Sequence, residues 1–172
     1  SFPNGKNLCY FWNMSHSTAR ISLAGEYLAA SYMLRYCDSV IMAPSGHRAD
    51  LILDHQGQLY RVQVKTTNST YSRSNKDFYR WEMRSSKRSS HNTRQNKMVR
   101  YGDGQIDFFC LVALPIDKVI FVPMNEDNLT EYSKNIGTLN KIDSKESLLE
   151  TLLHVNKIPK LESLNDVTES NI

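Results

Sequence analysis

Apolar positions first fall into a regular period near residue 18. Leu23, Tyr27, Ala30 and Leu34 recur at i, i+4, i+7 and i+11, the spacing of one helix face. Ser15 or Ser17 supplies the N-cap, and the helix is expected to end near residues 36–38. Val40, Ile41 and Met42 then read as a short strand stopped by Pro44-Ser45-Gly46. Two runs rich in Leu, Ile and Val, at 49–54 and 59–66, flank His55-Gln56-Gly57-Gln58 and predict a β-hairpin. A strand is expected at 78–83 within a polar stretch, and buried strands at 106–113 and 119–123. Helical periodicity returns at 128–135 and 145–155, the second through Leu148, Leu149, Leu152 and Leu153. Helix, strand, hairpin, strands and helices in that order predict an α/β fold, a mixed sheet flanked by helices.

Length and composition narrow the class. A chain of 172 residues with 40% hydrophobic positions holds one core. The expected organisation is one domain over 1–160, with a core at 17–123, a helical C-terminal part at 127–156 and a flexible tail at 161–172. No apolar run approaches the roughly 20 residues of a membrane helix, and the N-terminus lacks the pattern of a secretory signal. Cys9, Cys37 and Cys110 are odd in number and far apart, which fits a reducing cytoplasm rather than a disulfide framework. The five scattered histidines show no zinc-ligand spacing.

Charge changes the picture once it is divided along the chain. Residues 71–101 hold Arg73, Lys76, Arg80, Arg84, Lys87, Arg88, Arg94, Lys97 and Arg100 against Asp77 and Glu82, a balance of +7 in a chain whose whole net charge is +3. Tyr71, Phe78, Tyr79, Trp81 and Tyr101 are interleaved with them. Basic groups neutralise phosphates, and aromatic and small polar groups reach bases, sugars and backbone. The segment reads as a nucleic-acid contact, with a solvated basic loop as the plainer alternative.

The hairpin carries the candidate chemistry. With Gln56-Gly57 at its tip, Leu51 faces Val62 and Asp54 faces Leu59, which sets Asp50 across from Gln63 with Cβ atoms about 4.5–5.5 Å apart. Strand alternation sends Tyr60, Val62 and Val64 into the core and Arg61, Gln63 and Lys65 to the other face. Glu26, with Ala29, Ala30 and Met33 as helical neighbours, lies on or beside the apolar stripe, where a charge requires a partner or a metal. Two carboxylates and an amide oxygen are hard ligands of the kind Mg²⁺ takes, and a lysine beside them orients a water or offsets charge on a phosphate. A wet, half-exposed strand face is the alternative that the residues alone leave open.

Asp50, then Gln63-Val64-Lys65 after a hairpin, with Glu26 on the preceding helix, resembles the PD-(D/E)XK nuclease superfamily. Residues 61–66, Gly104-Gln105-Ile106-Asp107-Phe108-Phe109 and Val119-Ile120-Phe121-Val122-Pro123 are most similar to its branch of cyanobacterial-type intron-encoded homing endonucleases. The resemblance spans about residues 17–123. It implies a restriction-endonuclease-like αβββαβ core and a sequence-specific endonuclease for double-stranded DNA. Asp50, Gln63 and Glu26 would hold Mg²⁺, with Mn²⁺ able to substitute, and Lys65 would act on the nucleophile. It also implies a dimer or tetramer and a prokaryotic or phage-like setting. Gln63 departs from the acid of the motif, removing a negative charge from the metal site, and Ala49 stands where the motif has proline.

Other signals are weaker. Leu23-Ala24-Gly25 matches only the start of the LAGLIDADG motif without its acid, and His91-Asn92 lacks the second histidine of an HNH site. His47 reads as a loop histidine, with contact to DNA or a substrate water as its alternative, Asp107 as a capping or salt-bridge residue, and Tyr79 and Trp81 as core as readily as DNA contacts. A junction-resolving or repair nuclease on the same core, and a non-catalytic DNA-binding module, are the rival functions.

Overall fold

The computed structural model describes residues 18–87, 97–99, 101, 104–124 and 130–155. The expected tail at 161–172 and the basic residues Arg88, Arg94 and Arg100 lie outside them. Helix α1 (Thr18–Met33) leads into β1 (Ser39–Met42), β2 (Leu51–His55) and β3 (Gln58–Thr67). Strands β4 (Thr70–Arg73), β5 (Lys76–Glu82), β6 (Ser85–Lys87) and β7 (Lys97–Val99) follow, then β8 (Phe108–Ala113) and β9 (Lys118–Pro123). Strand β10 (Glu131–Asn135) and helices α2 (Ile136–Lys141) and α3 (Ser144–His154) close the fold. No helix among the described residues is long and apolar enough to cross a membrane.

Five strands form a mixed sheet in the order β1-β2-β3-β8-β9, in which only β3 and β8 run parallel. The hairpin register is the expected one, with Leu51 opposite Val62 and Asp54 opposite Leu59. Its Gln56-Gly57 turn has φ values of 54° and 75°, the two positive angles that a two-residue hairpin turn demands. Asp38 accepts the Gln56 amide at 2.6 Å and helps hold that geometry.

Helices α1 and α3 cover one face of this sheet. The face of α1 that does so differs from the expected stripe. Gly25, Ala29 and Met33 are buried, while Leu23, Tyr27 and Leu34 are 46%, 59% and 53% exposed. Small residues decide the contact: a Cβ on Gly25 would lie 1.8 Å from Thr66 Oγ1, so only glycine lets the helix come this close to β3. The helix also stops at Met33 and finishes in a turn in which the amides of Tyr36 and Cys37 bond the Met33 carbonyl, short of the expected end. In α3, Leu148 and Leu152 enter the core, whereas Leu153 is 75% exposed.

The opposite face is covered by a second sheet, β10-β5-β4, together with α2. Tyr79 and Trp81 are its buried anchors, and Trp81 Nε1 donates to the Val112 carbonyl at 3.0 Å. Both are therefore core residues. The helix expected at 128–135 is corrected to strand over its described part: Glu131–Asn135 pairs with β5, because Tyr132 packs its ring on Trp81. Among the described residues the crossover from β3 to parallel β8 runs through β4–β7 rather than a helix.

Candidate active site

The site forms where β2 and β3 part. The chain pairs backbone to backbone as far as Asp50, whose amide donates to the Val62 carbonyl at 3.0 Å. Beyond it the strand ends, and the Val64 amide, two residues further along β3, turns to the Asp50 side chain, whose Oδ2 accepts it at 2.9 Å. Gln63 Nε2 donates to the same oxygen and also reaches the Val64 carbonyl at 3.3 Å. The expected Asp50–Gln63 juxtaposition is thus realised side chain to side chain.

Lys65 lies two residues beyond Gln63 on the same face of β3, at the level of Leu111 in the parallel register. The wet strand face that the residues alone left open as an alternative is not what forms around Lys65. Lys65 is half-buried under the second sheet, and Nζ donates to the Arg84 carbonyl at 2.9 Å and to Tyr101 Oη at 3.0 Å, over the Tyr101 ring at 5.2 Å. Glu26 comes from α1, half-buried beside the close contact of Gly25 with Thr66. Glu26, Asp50, Gln63 and Lys65 all line one cleft of about 490 Å³, whose other walls include Thr66, Ser69, Tyr71, Arg80 and Glu82.

Electrostatics agree with the geometry. Burial raises the Asp50 carboxyl above the ordinary carboxylate value, against the pull of the Val64 amide, the Lys65 charge and the Gln63 amide. Burial also raises Glu26, and the negative charge of Asp50 adds to it. The Lys65 ammonium is held below its ordinary value by burial, with Asp50 and Glu82 pulling the other way. Two carboxylates close enough to repel across a polar cleft create a demand for positive charge. Among the described residues no three His, Cys, Asp or Glu side chains cluster as a metal cage. The donors present, two carboxylates and an amide oxygen with room for water and phosphate, fit Mg²⁺, which is ordinarily held by one or two carboxylates plus substrate.

The basic candidates separate. Arg73 and Lys76 pair with each other on either side of the Ser74-Asn75 turn, whose φ values are 51° and 57°. Arg80 stands on the same outward face of the ribbon, 5.3 Å over the Tyr71 ring and 3.6 Å from Glu131. Arg84 follows β5 with its guanidinium 3.6 Å from Glu82. Lys87 and Lys97 fall on the paired strands β6 and β7.

Two neighbours of the site, Tyr101 and Arg48, went unrecognised in the sequence. Tyr101 was visible only as one aromatic of the basic segment, and nothing local linked it to Lys65. Arg48 and His47, in the loop before Asp50, line a second cleft of about 370 Å³ together with Asp50, Gln63, Lys65 and Tyr101. Asp107 is the salt-bridge residue expected: its carboxylate accepts the Arg61 amide at 2.7 Å and pairs with the Arg61 guanidinium at 3.0 Å.

Comparison with known proteins bears on the family and the fold. The family model described as PD-(D/E)XK endonuclease matches residues 18–148. The fold is similar to that of the bacterial homing endonuclease I-Ssp6803I, with a TM-score of 0.60 at 17% identity over 81% of this chain and 95% of that one. No curated protein matches the sequence. The chain belongs to the PD-(D/E)XK endonuclease family, and so to the phosphodiester hydrolases that act on DNA.

Proposed function

We propose that the chain is a metal-dependent, sequence-specific endonuclease for double-stranded DNA, of the homing type. The observation that carries this reading is the convergence of Glu26, Asp50, Gln63 and Lys65, from three separate elements, on one polar cleft. Asp50 and Gln63 hold Mg²⁺ or, in its place, Mn²⁺, and Glu26 completes or tunes the site. When bound, the ion polarises the scissile phosphate and lowers the pKa of a water. Lys65 positions the attacking water and offsets charge developing on the phosphate oxygens. Two of its donor directions are taken by Arg84 O and Tyr101 Oη, so one ammonium hydrogen remains to be aimed into the cleft.

The outward face of the β4–β5 ribbon, with Arg73, Lys76 and Arg80, tracks the duplex, joined by Arg84, Lys87, Arg88, Arg94, Lys97 and Arg100. A chain this small reaches a long target by assembling as a dimer or tetramer. The exposed Leu23 and Tyr27 on α1, with Leu34 in the turn after it, are apolar surface of the kind such an assembly covers.

The test is cleavage of a random-site DNA library in Mg²⁺, read by sequencing the ends. Recurrent ends that vanish with EDTA, and with Asp50→Ala or Lys65→Ala at retained DNA binding, are expected. Binding without cleavage would make the chain a DNA-binding module, and cleavage confined to branched substrates would make it a junction-resolving enzyme.

A further inference from the structure

Asp50, Gln63 and Lys65 are shared by two clefts, so they form a ridge with open space on both sides. A DNA strand laid across that ridge, with its reacting phosphate on it, enters by one cleft and leaves by the other. The two clefts differ in charge. The larger one carries Glu26 and Glu82 besides Arg80, whereas the smaller one adds Arg48 and His47 and no further acid to the shared residues. Resting on the endonuclease reading above, we infer that the smaller cleft is a phosphate subsite: it receives the phosphodiester next to the scissile one, and Arg48 and His47 bind it.

The loop that presents these two side chains is fixed at both ends. Its mouth is closed by the Ala43 amide donating to the Asp50 carbonyl at 2.8 Å, and its tip by the His47 amide donating to the Pro44 carbonyl at 3.0 Å. Ala49 is buried at 3% exposure and anchors the loop in the core between the sheets. Gly46 takes φ +90° at the tip, a conformation that glycine adopts without strain. Arg48 and His47 are therefore held at a set distance in sequence and space from Asp50.

His47 is also chemically oriented. The Ala49 amide donates to Nδ1 at 3.1 Å, closer than the Ala49 carbonyl at 3.3 Å. An N–H needs a lone pair to meet, so the neutral ring carries its proton on Nε2 and offers it as a donor. Arg48 adds a guanidinium, whose fork matches phosphate oxygens. A donor and a cation beside the ridge, in a cleft that is almost wholly polar, select an anion.

The test compares wild type, Arg48→Gln, Arg48→Lys and His47→Asn on a cleavable duplex, with Ca²⁺ replacing Mg²⁺ for binding and Mg²⁺ for cleavage. His47→Asn keeps an acceptor for the Ala49 amide while removing the ring Nε2 donor. Arg48→Gln should weaken binding about tenfold at low salt and lower the slope of log K against log salt by about 0.9, the value of one phosphate contact. Arg48→Lys should restore the slope, and Lys141→Ala, on the distant α2, should change neither. A neutral methylphosphonate at one of the two phosphates flanking the scissile bond should weaken wild type about tenfold and Arg48→Gln hardly further. If wild type cuts DNA but Arg48→Gln keeps its slope, or both proteins respond alike to methylphosphonates at both flanks, the subsite is refuted. If wild type does not cut DNA at all, it is the endonuclease reading that fails.

Discussion

Gln63 Nε2 donates to Asp50 Oδ2, the oxygen that also accepts the Val64 amide. Two donors on one oxygen hold the carboxylate still, but they turn the NH₂ end of the glutamine toward it. A cation needs the Oε1 end. On the proposed reading, in which Gln63 is a ligand of Mg²⁺, the amide would have to turn over and surrender a hydrogen bond worth about 1 kcal/mol. Gln63→Glu removes the donor and sets two carboxylates together, which should cost the metal-free protein about 1–3 kcal/mol and enlarge the rise in melting temperature produced by Mg²⁺. Thermal melts in EDTA and in Mg²⁺ read both effects. Equal Mg²⁺ shifts in the two proteins would remove residue 63 from the metal site.

Asp50 supplies a stability experiment with a definite sign. Its carboxyl is raised mainly by burial, so the folded chain binds the proton more tightly than the unfolded one. The site's contribution to stability is therefore greatest below the ordinary carboxylate value and is lost as pH rises through the raised one. Asp50→Asn keeps an acceptor for the Val64 amide and removes the buried charge. In EDTA at neutral pH the variant should melt higher than wild type, and this advantage should shrink as the pH is lowered toward 4, near the ordinary aspartate value. A lower melting temperature at neutral pH would mean that hydrogen bonding to the charge outweighs its burial.

Lys65 is aimed by Tyr101, whose hydroxyl lies 3.0 Å from Nζ. Tyr101→Phe deletes that acceptor while keeping the ring under the ammonium and its edge contact with Phe109, centroids 5.6 Å apart. A hydrogen bond to a charged group is worth about 1.5–3 kcal/mol, so a 10- to 100-fold fall in the single-turnover cleavage rate is expected, with DNA affinity unchanged. Equal losses in affinity and rate would assign Tyr101 to general support of the fold instead.

The hairpin was legible because its register follows from chain geometry alone: once Gln56-Gly57 is the turn, Asp50 must face Gln63. The face of α1 was not, because the residues that touch the sheet were chosen for smallness. Gly25 and Ala29 carry little hydrophobic signal, while Leu23, Tyr27 and Leu34 carry much and stay outside. Lys65 was placed on the right face, but its partners are the Arg84 carbonyl and Tyr101, 19 and 36 residues further along the chain, and no local pattern encodes those contacts. Strand β10 escaped for a related reason. Tyr132 and Ile136 have helical spacing in sequence, yet both pack beside the second core cluster around Trp81, where an edge strand was needed.

The ribbon cations should act on affinity rather than on the chemical step. Arg73 and Lys76 pair at the exposed tip of β4–β5, away from the residues lining the cleft. Arg73→Gln with Lys76→Gln should lower the salt slope of DNA binding by about 1.8, at roughly 0.9 for each phosphate contact. Cleavage at saturating protein should stay within twofold of wild type. A fall in the saturated rate with an unaltered slope would place the tip in the reaction and not on the backbone.

Gly25 tests whether α1 sets the position of Glu26. Adding a methyl at Gly25 meets Thr66 Oγ1 at 1.8 Å and the Thr66 Cβ and Cγ2 at 2.8 Å, a clash that rotation of one side chain cannot relieve. Gly25→Ala gains about 1 kcal/mol of helix propensity, yet overpacking of a tight contact costs about 1–3 kcal/mol, so a net loss of stability is expected. Because the helix must retreat from β3, Glu26 retreats from Asp50 and cleavage should fall more than tenfold. Thr66→Gly vacates the colliding atoms and should return part of both losses, giving a coupling free energy above about 0.5 kcal/mol in a double-mutant cycle. Additive effects would mean that the helix does not rest on Thr66, and unchanged cleavage in a folded Gly25→Ala protein would take Glu26 out of the site.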